Sequence, residues 1–384
     1  MPEPFKNFIN ADVVGDAGRH LQRVWPAFDR ERFERLALDG LERLELKARA
    51  HRVADALEAT LPRDFARAAD ILQASLAPVT DGVDAAPPAR SDAGLSGWVV
   101  WPLTEYVARR GLDTPERALV ALHAMTQRFS AEWAIRPFIV RHPTLTFETL
   151  RCWTRDASPH VRRLVSEGSR PRLPWGLQLK ALVADPSPTL PLLRALQDDP
   201  SAYVRRSVAN HLNDIAKDHP ALVARWVAEH LEGASAERRA LLRLACRTLI
   251  KRGDATVLAL WGHGSPLRGQ ARLHVAPRQA RVGDTLRLTV TLVSRSARPQ
   301  NLAIDYAVHH VGARGGTSAK VFKGWTLTLP ARETVERSRR HSLRPVTTRR
   351  YHAGAHRIDL LVNGRVAAQA SFRLKDGSHA GTGR

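Results

Sequence analysis

The chain has 384 residues, 43% of them hydrophobic and 25% charged, with a formal net charge of +21. That apolar content is enough for real cores, and no stretch approaches the roughly 18 apolar residues of a membrane span. The opening MPEPFKNFINADVVGD has no basic region followed by an apolar core, so a cytoplasmic protein is expected. Two cysteines, Cys152 and Cys246, exclude a disulfide framework and a four-cysteine zinc site. Both lie within apolar helical patterns and are expected to be inert core thiols.

The charge is unevenly spread. Residues 265–384 carry 22 Lys+Arg against 6 Asp+Glu, a net of +16, and the first 264 residues carry 37 against 32, a net of +5. An arginine-dominated surplus suits a polyanion, because guanidinium groups bind phosphate bidentately and release its counterions. A merely soluble basic surface would have the same charge.

Up to about residue 262 the apolar spacing is helical. Phe33, Leu36 and Leu44 fall in one segment, Phe65, Leu72 and Leu76 in a second, and Leu119, Leu122 and Phe129 in a third. Between the last two, APVTDGVDAAPPARSDAGLSG at 77–97 predicts a long loop. In TQRFSAEWAIRPFIV, a cap at Ser130 would put Glu132 in a first helical turn, where the dipole favours an anion. DASPHVRRLVSEG (156–168) then matches DPSAYVRRSVANH (199–211) at an offset of 43 residues, and GASAERRALLRLACR (233–247) is a weaker third copy. Ser158 and Ser201 are placed to cap helices, with Pro159 at a first helical position. An offset near 40 residues with a helix pair per unit predicts HEAT-type repeats.

Within the first copy, Gly168 reads as a left-handed helix stop, which puts Glu167 at the negative end of the dipole. Arg170 and Arg172 follow in a proline-stiffened loop, and Pro174-Trp175 reads as the opening of the next helix. In the second copy, Val204, Val208, Leu212 and Ile215 form the buried stripe of a helix, and Arg206, Asn210, Asn213, Asp214 and Lys217 fall in a sector roughly opposite. That sector reads either as a solvated face or as a docking face, with Asn210 and Asn213 supporting Asp214. The repeated pairs Arg162-Arg163 and Arg205-Arg206 are candidates for phosphate contacts or for ion pairs between repeats.

After Trp261 the period changes to two. Leu286, Leu288, Val290 and Leu292 alternate with polar residues, as do Leu302, Ile304, Tyr306 and Val308, then Trp325, Leu327 and Leu329. IDLLV and VAAQASF flank Asn363-Gly364, the preferred dipeptide of a type I′ hairpin turn. About seven strands predict an immunoglobulin-like β-sandwich without a Cys-Trp-Cys core. Its Arg337, Arg339, Arg340, Arg349 and Arg350 suggest a clamp on a polyanion. His352 and His356 lie in β or turn territory and predict no zinc pair. The expected organisation is mostly α: a HEAT-like α-helical repeat solenoid over 1–264, a basic Ig-like β-sandwich over 265–376, and a flexible tail over 377–384.

Together, SAEWAIRPF, SEGSRPRLPW and SVANHLNDIAKDHP resemble the AlkC-type DNA glycosylases of the HEAT-like-repeat alkylation-repair family, one subgroup of which carries an Ig-like domain. The resemblance implies a monofunctional base-excision-repair enzyme that removes cationic N3-methylated bases from duplex DNA, chiefly 3-methyladenine and also 3-methylcytosine, without base flipping. It further implies a monomer with no metal or other cofactor. Carried over by motif, the catalytic residues are Glu132, Glu167, Trp175 and Asp214. Arg162, Arg163, Arg170, Arg172, Arg205, Arg206, Asn210, Asn213, Arg339 and Arg340 are the candidate DNA contacts. His123 and Trp133 receive no role. The rival reading is a non-catalytic HEAT-like nucleic-acid-binding scaffold, and a bifunctional lyase lacks a convincing lysine in the three motifs.

Overall fold

The computed structural model describes residues 4–79, 92–313, 315–346 and 350–375. The expected tail, Arg349 and most of the 77–97 loop lie outside them. Backbone packing divides the chain into two compact units: Met1–His219 with Ala234–Ala245, and Pro220–Gly233 with Cys246–Arg384.

The first unit is helical. Asn10, Asp29, Asp64 and Ser201 each accept a backbone N–H from the first turn that follows them, and Pro115, Pro143 and Pro159 occupy first helical positions where a missing N–H costs nothing. The predicted segments are shorter than their apolar spacing suggested. Gly40 at φ +68° ends the helix Arg30–Leu38, so Leu44 falls after a separate turn, Leu41–Arg43. Leu76 and Phe129 likewise lie beyond the helices Phe65–Ala74 and Pro115–Thr126. Cys246 is buried as expected, whereas Cys152 is exposed, because its helix Pro143–Trp153 buries only Thr146 and Leu150.

Each helix packs on neighbours in the stack. Pro159–Gly168 lies against Pro143–Trp153, Leu190–Leu196 and Ala202–Ile215, and Ala202–Ile215 lies also against Ala236–Ala245. The 43-residue repeat is visible in single hydrogen bonds. Asp156 accepts from the Ser158 N–H at 2.8 Å, and Asp199 accepts from Ser201 at 2.9 Å. Arg162 Nη1 donates to the carbonyls of Asp156 and Ala157, and Arg205 Nη1 to those of Asp199 and Pro200. Arginine therefore fastens the entry of each repeated helix. Ser201 also caps its helix through Oγ, but Ser158 makes no such bond. The copies are linked directly, since Arg162 reaches across to Asp199 through Nε at 2.6 Å and Nη2 at 3.0 Å.

Among the described residues the second unit contains the helices Pro220–Leu231, Arg247–Arg252 and Ala255–Leu260 and eight strands: β1 Gly269–Ala276, β2 Gln279–Ala280, β3 Thr285–Ser294, β4 Gln300–Val311, β5 Thr317–Leu329, β6 Thr334–Ser342, β7 Gly354–Val362 and β8 Arg365–Leu374. They form a three-stranded sheet in the order β1-β3-β6 and a five-stranded sheet in the order β2-β8-β7-β4-β5. The alternation read from sequence is the core. Leu286, Leu288, Val290 and Leu292 of one sheet meet Tyr306, Val308, Ile358, Leu302, Ile304 and Leu360 of the other. Asn363 at φ +47° and Gly364 at φ +76° make the expected hairpin turn, in which both central residues need positive φ.

The Arg162–Asp199 fork links the two repeats directly, with the Asp199 side chain only 3% exposed. Removing one partner of such a pair leaves a buried charge. Arg162→Ala is therefore expected to lower the unfolding free energy of the chain by about 3–5 kcal/mol. Urea denaturation measures this, and a loss below about 1 kcal/mol would reduce the fork to the worth of a surface pair.

Candidate active site

Three backbone segments assemble the site. The first is the turn Glu132–Ile135, which leads into the helix Arg136–Arg141. The second is the end of the helix Pro159–Gly168 with the loop after it, and the third is the helix Ala202–Ile215. Two sequence expectations change here. Ser130 caps no helix: its Oγ donates to Glu132 Oε2 at 2.7 Å, and the helix begins later, at Arg136. Gly168 is no left-handed stop but the last helical residue. Glycine is required there because a Cβ would come within 2.5 Å of Ile135 Cγ2, so its absence lets the Glu132 turn sit against the Glu167 helix.

Glu132, Glu167 and Asp214 are brought together, and all three are buried, at 8%, 5% and 1% exposure. The solvated face expected around Asp214 is thus corrected. The helix is covered on more than its apolar stripe, so His211 and Asn213 are buried with Asp214, while Arg206 and Lys217 stay exposed. Burying a carboxylate demands a cation or several donors, and here acids and bases alternate. Lys217 Nζ donates to Asp214 Oδ1 at 2.7 Å, and Arg170 Nε to Asp214 Oδ2 at 2.8 Å. Arg170 Nη1 then donates to Glu167 Oε1 at 2.6 Å. Arg163 Nη2 lies 3.7 Å from the same oxygen, while its Nη1 donates to Glu132 Oε2 at 2.8 Å. Ser207 Oγ completes Glu167 by donating to Oε2 at 2.6 Å. Asp214 is held by Arg170 and Lys217.

Electrostatics follow from this order. Burial alone would raise the Glu167 carboxyl, but Arg163, Arg170 and the Ser207 hydroxyl outweigh it and hold the group below its ordinary 4.5. Burial opposes the charge of Arg163 and Arg170 as well, yet their acidic neighbours push both above the usual arginine value. His211, wholly buried with Nδ1 2.9 Å from the Ser166 carbonyl, is pushed down to about 4 by burial and is neutral at pH 7.

Trp175 departs from its expected helix start, since the next helix begins only at Lys180. It sits instead in a tight turn at φ +63°, a conformation costing a residue with a Cβ about 1–2 kcal/mol, with its side chain 60% exposed. Its indole stacks on Trp133 at 6.5 Å, and Trp133 on Trp101 at 4.4 Å. Trp133 Nε1 donates to the Pro174 carbonyl, Lys47 Nζ to that of Trp175, and Arg136 to those of Leu177, Gly168 and Arg170. Trp133 was given no role from the sequence, and Arg136 and Ser207 were not singled out there. An arginine inside the apolar run AIRPFIV was the one signal available for Arg136, whose guanidinium is wholly buried and, through that burial and then the charge of Arg170, brought down to about 10.

The remaining candidate contacts scatter. Arg162 and Arg163 are consumed inside the fold by Asp199 and Glu132, with Arg163 also over the Tyr203 ring at 4.7 Å. Arg205 fastens its own helix start, and Arg172 pairs with Asp218 through two bonds of 2.8 Å. Asn210 is half-buried and Arg206 exposed. In the second unit Arg339 donates to the Gly324 carbonyl, and Arg340 is exposed on β6 opposite Arg287 of β3.

Chemically, the site offers fixed carboxylates, and the loop that follows the Glu167 helix carries an exposed indole. A Glu167 held below the ordinary carboxylate range is suited to stabilising positive charge or orienting water, and unsuited to donating a proton at neutral pH. Among the described residues no group of three or more His, Cys, Asp or Glu side chains is arranged to hold a metal.

Comparison with known proteins bears on the whole chain. Residues 270–376 match the family model described as "Uncharacterised protein YhaZ, C-terminal Ig-like domain". The Bacillus subtilis (strain 168) protein YhaZ is 37% identical over 371 residues, covering 96% of this chain and 99% of its own length. The structure of Pseudomonas fluorescens alkylpurine DNA glycosylase AlkC bound to DNA containing an abasic site analogue is 35% identical, with a TM-score of 0.87, covering 97% of this chain and 100% of that one.

A carboxyl held below its ordinary value stabilises the fold above that value, and the contribution disappears as pH falls through the folded-state pKa. Glu167→Gln is therefore expected to be less stable than the parent at pH 7, with the difference shrinking as pH falls to about 3. Thermal denaturation across that range checks the sign. A difference independent of pH would mean that the charge on Glu167 contributes nothing.

Proposed function

The chain belongs to the AlkC-type family with an Ig-like C-terminal domain, and on that premise we propose that it is a DNA glycosylase of base excision repair. The observation that carries the chemistry is the row of three buried carboxylates, Glu132, Glu167 and Asp214, fixed by cations beside the exposed Trp175.

The substrates proposed are cationic N3-methylated bases, 3-methyladenine foremost and 3-methylcytosine next, in duplex DNA. Such a base carries a positive charge that weakens its glycosidic bond, and it leaves neutral without a general acid. The remaining tasks are to stabilise an oxocarbenium-like sugar and to place a water, both suited to carboxylates. In this reading Asp214 orients the water, Glu132 and Glu167 supply negative charge, and Trp175 offers its free face to the sugar or the cationic base. Recognition without a closed pocket for a flipped base agrees with an indole that lies largely in solvent. Under the scaffold alternative the buried acids would serve only to tie the helices together. A lyase would need a free amine, and Lys217 is engaged by Asp214.

Duplex affinity is proposed to come largely from the basic second unit, with Arg340 and its neighbour Arg287 meeting backbone phosphate, and from Arg206 in the first unit. Like charges placed opposite one another on a sheet repel, and a polyanion relieves that repulsion.

Two measurements test these readings. Incubation with methylated duplex DNA is expected to release 3-methyladenine, and Asp214→Ala and Glu132→Gln should each slow the release about 100-fold or more. Release that survives both changes overturns the site, and no release by the parent favours the scaffold. In duplex binding, Arg340→Ala is expected to lower the slope of log affinity against log salt by about one. An unchanged slope removes Arg340 from the interface.

A further inference from the structure

We infer that Arg170 is a positioning residue that fixes Glu167 and Asp214 together and orients both, and is not a phosphate contact. This rests on the glycosylase reading above and adds to it a residue that acts through the carboxylates.

Arg170 is the one cation of the cluster that bonds two of the acids from two different helices within 2.8 Å. Nη1 meets Glu167 Oε1 at 2.6 Å, and Nε and Nη2 both meet Asp214 Oδ2 at 2.8 Å. A guanidinium does this because its donors diverge in one rigid plane, which the point charge of an ammonium cannot reproduce. The side chain is only 9% exposed. Its backbone is fixed too. The Arg170 carbonyl accepts from Arg136 Nη1 at 2.8 Å, and Pro171 restricts the residue before it. A phosphate contact would need this guanidinium in solvent, and withdrawing it would leave Asp214, at 1% exposure, with Lys217 alone. Asp214 Oδ2 takes two Arg170 donors, but Asp214 Oδ1 meets Lys217 and each Glu167 oxygen meets one donor within 2.8 Å, so the bonds to Arg170 aim the acids and leave acceptor capacity on the other oxygens.

Several other groups face the pair. Arg163 lies on the Glu167 helix, and Glu132 and Arg136 approach from the preceding turn and helix. Ser207, His211, Tyr203 and Lys217 belong to or follow the Asp214 helix, and Arg172 pairs with Asp218 nearby. Arg163 and Ser207 remain beside Glu167 when Arg170 is changed, so the effect of Arg170 is a displacement of the titration rather than its abolition.

The test is single-turnover base release from methylated duplex as a function of pH, with duplex affinity measured in parallel. Arg170→Gln is expected to lower the rate at pH 7 at least tenfold, and to move the acid limb of the profile upward by about one unit. Affinity should change less than about threefold. Arg170→Lys should return the limb towards its parental position without restoring the full rate, since charge returns and the fork does not. Ser207→Ala, which removes one neutral bond from Glu167 and leaves Asp214 alone, should move the limb in the same direction by less. A loss of affinity with the limb unmoved would make Arg170 a phosphate contact and overturn the inference, as would coincident profiles for the Gln and Lys variants. Should the parent release no base, the glycosylase reading is what fails. Positioning is then read from a carbon-13 NMR titration of the Glu167 carboxyl, expected to move upward in Arg170→Gln and overturning the inference if it does not.

Discussion

A carboxylate taken out of water must find compensating charge or donors, and this constraint organises the first unit around its centre. Three acids from three segments are buried in one place, and each is tolerable only because a cation reaches it, which for Glu132 and Asp214 comes from the segment that bears Glu167. Arg163 ties the Glu167 helix to the Glu132 turn, and Arg170 ties the loop after Gly168 to the Asp214 helix. The same contacts that make the charges affordable also set the spacing of the helices. Gly168 belongs to this logic, since any larger residue would hold the turn and the helix apart and stretch the bridge between Arg163 and Glu132.

The repeat shows how a structural device and a chemical one share a motif. In both copies the first arginine of Val-Arg-Arg fastens the helix entry by donating to two carbonyls. The second arginine is not equivalent. Arg163 is buried against Glu132, whereas Arg206 lies at the surface. Duplicated sequence thus conserves the fastening and leaves the neighbouring position free to serve the acids in one copy and the solvent side in the other.

Much of this was legible in the sequence, and the reasons differ by element. The β alternation, the Asn363-Gly364 turn and the stripe Val204, Val208, Leu212 and Ile215 are local patterns, and local sterics and burial decide them. The family was legible because three short motifs recur in order. Helix ends were less so, since Gly40 and the bonds of Ser130 depend on what packs nearby. The surroundings of Asp214 were misread for a definite reason. A helical wheel records which residues share a face but not whether a second layer covers that face, and here Arg170, 44 positions away, does so. Ser207 and Trp133 carry no signal in one sequence, because a buried hydroxyl bonded to a carboxylate and an indole stacked beneath another look like ordinary residues.

The loop bearing Trp175 has four carbonyls held by side chains, those of Arg170 and Leu177 by Arg136, of Pro174 by Trp133 and of Trp175 by Lys47, and Arg136 also holds the carbonyl of Gly168, where the loop leaves its helix. A segment tied down at so many points has little conformational freedom left to surrender when it meets a ligand. The entropic cost of forming a complex then falls on the other molecule. On the protein's side, the indole stands in place before any ligand arrives.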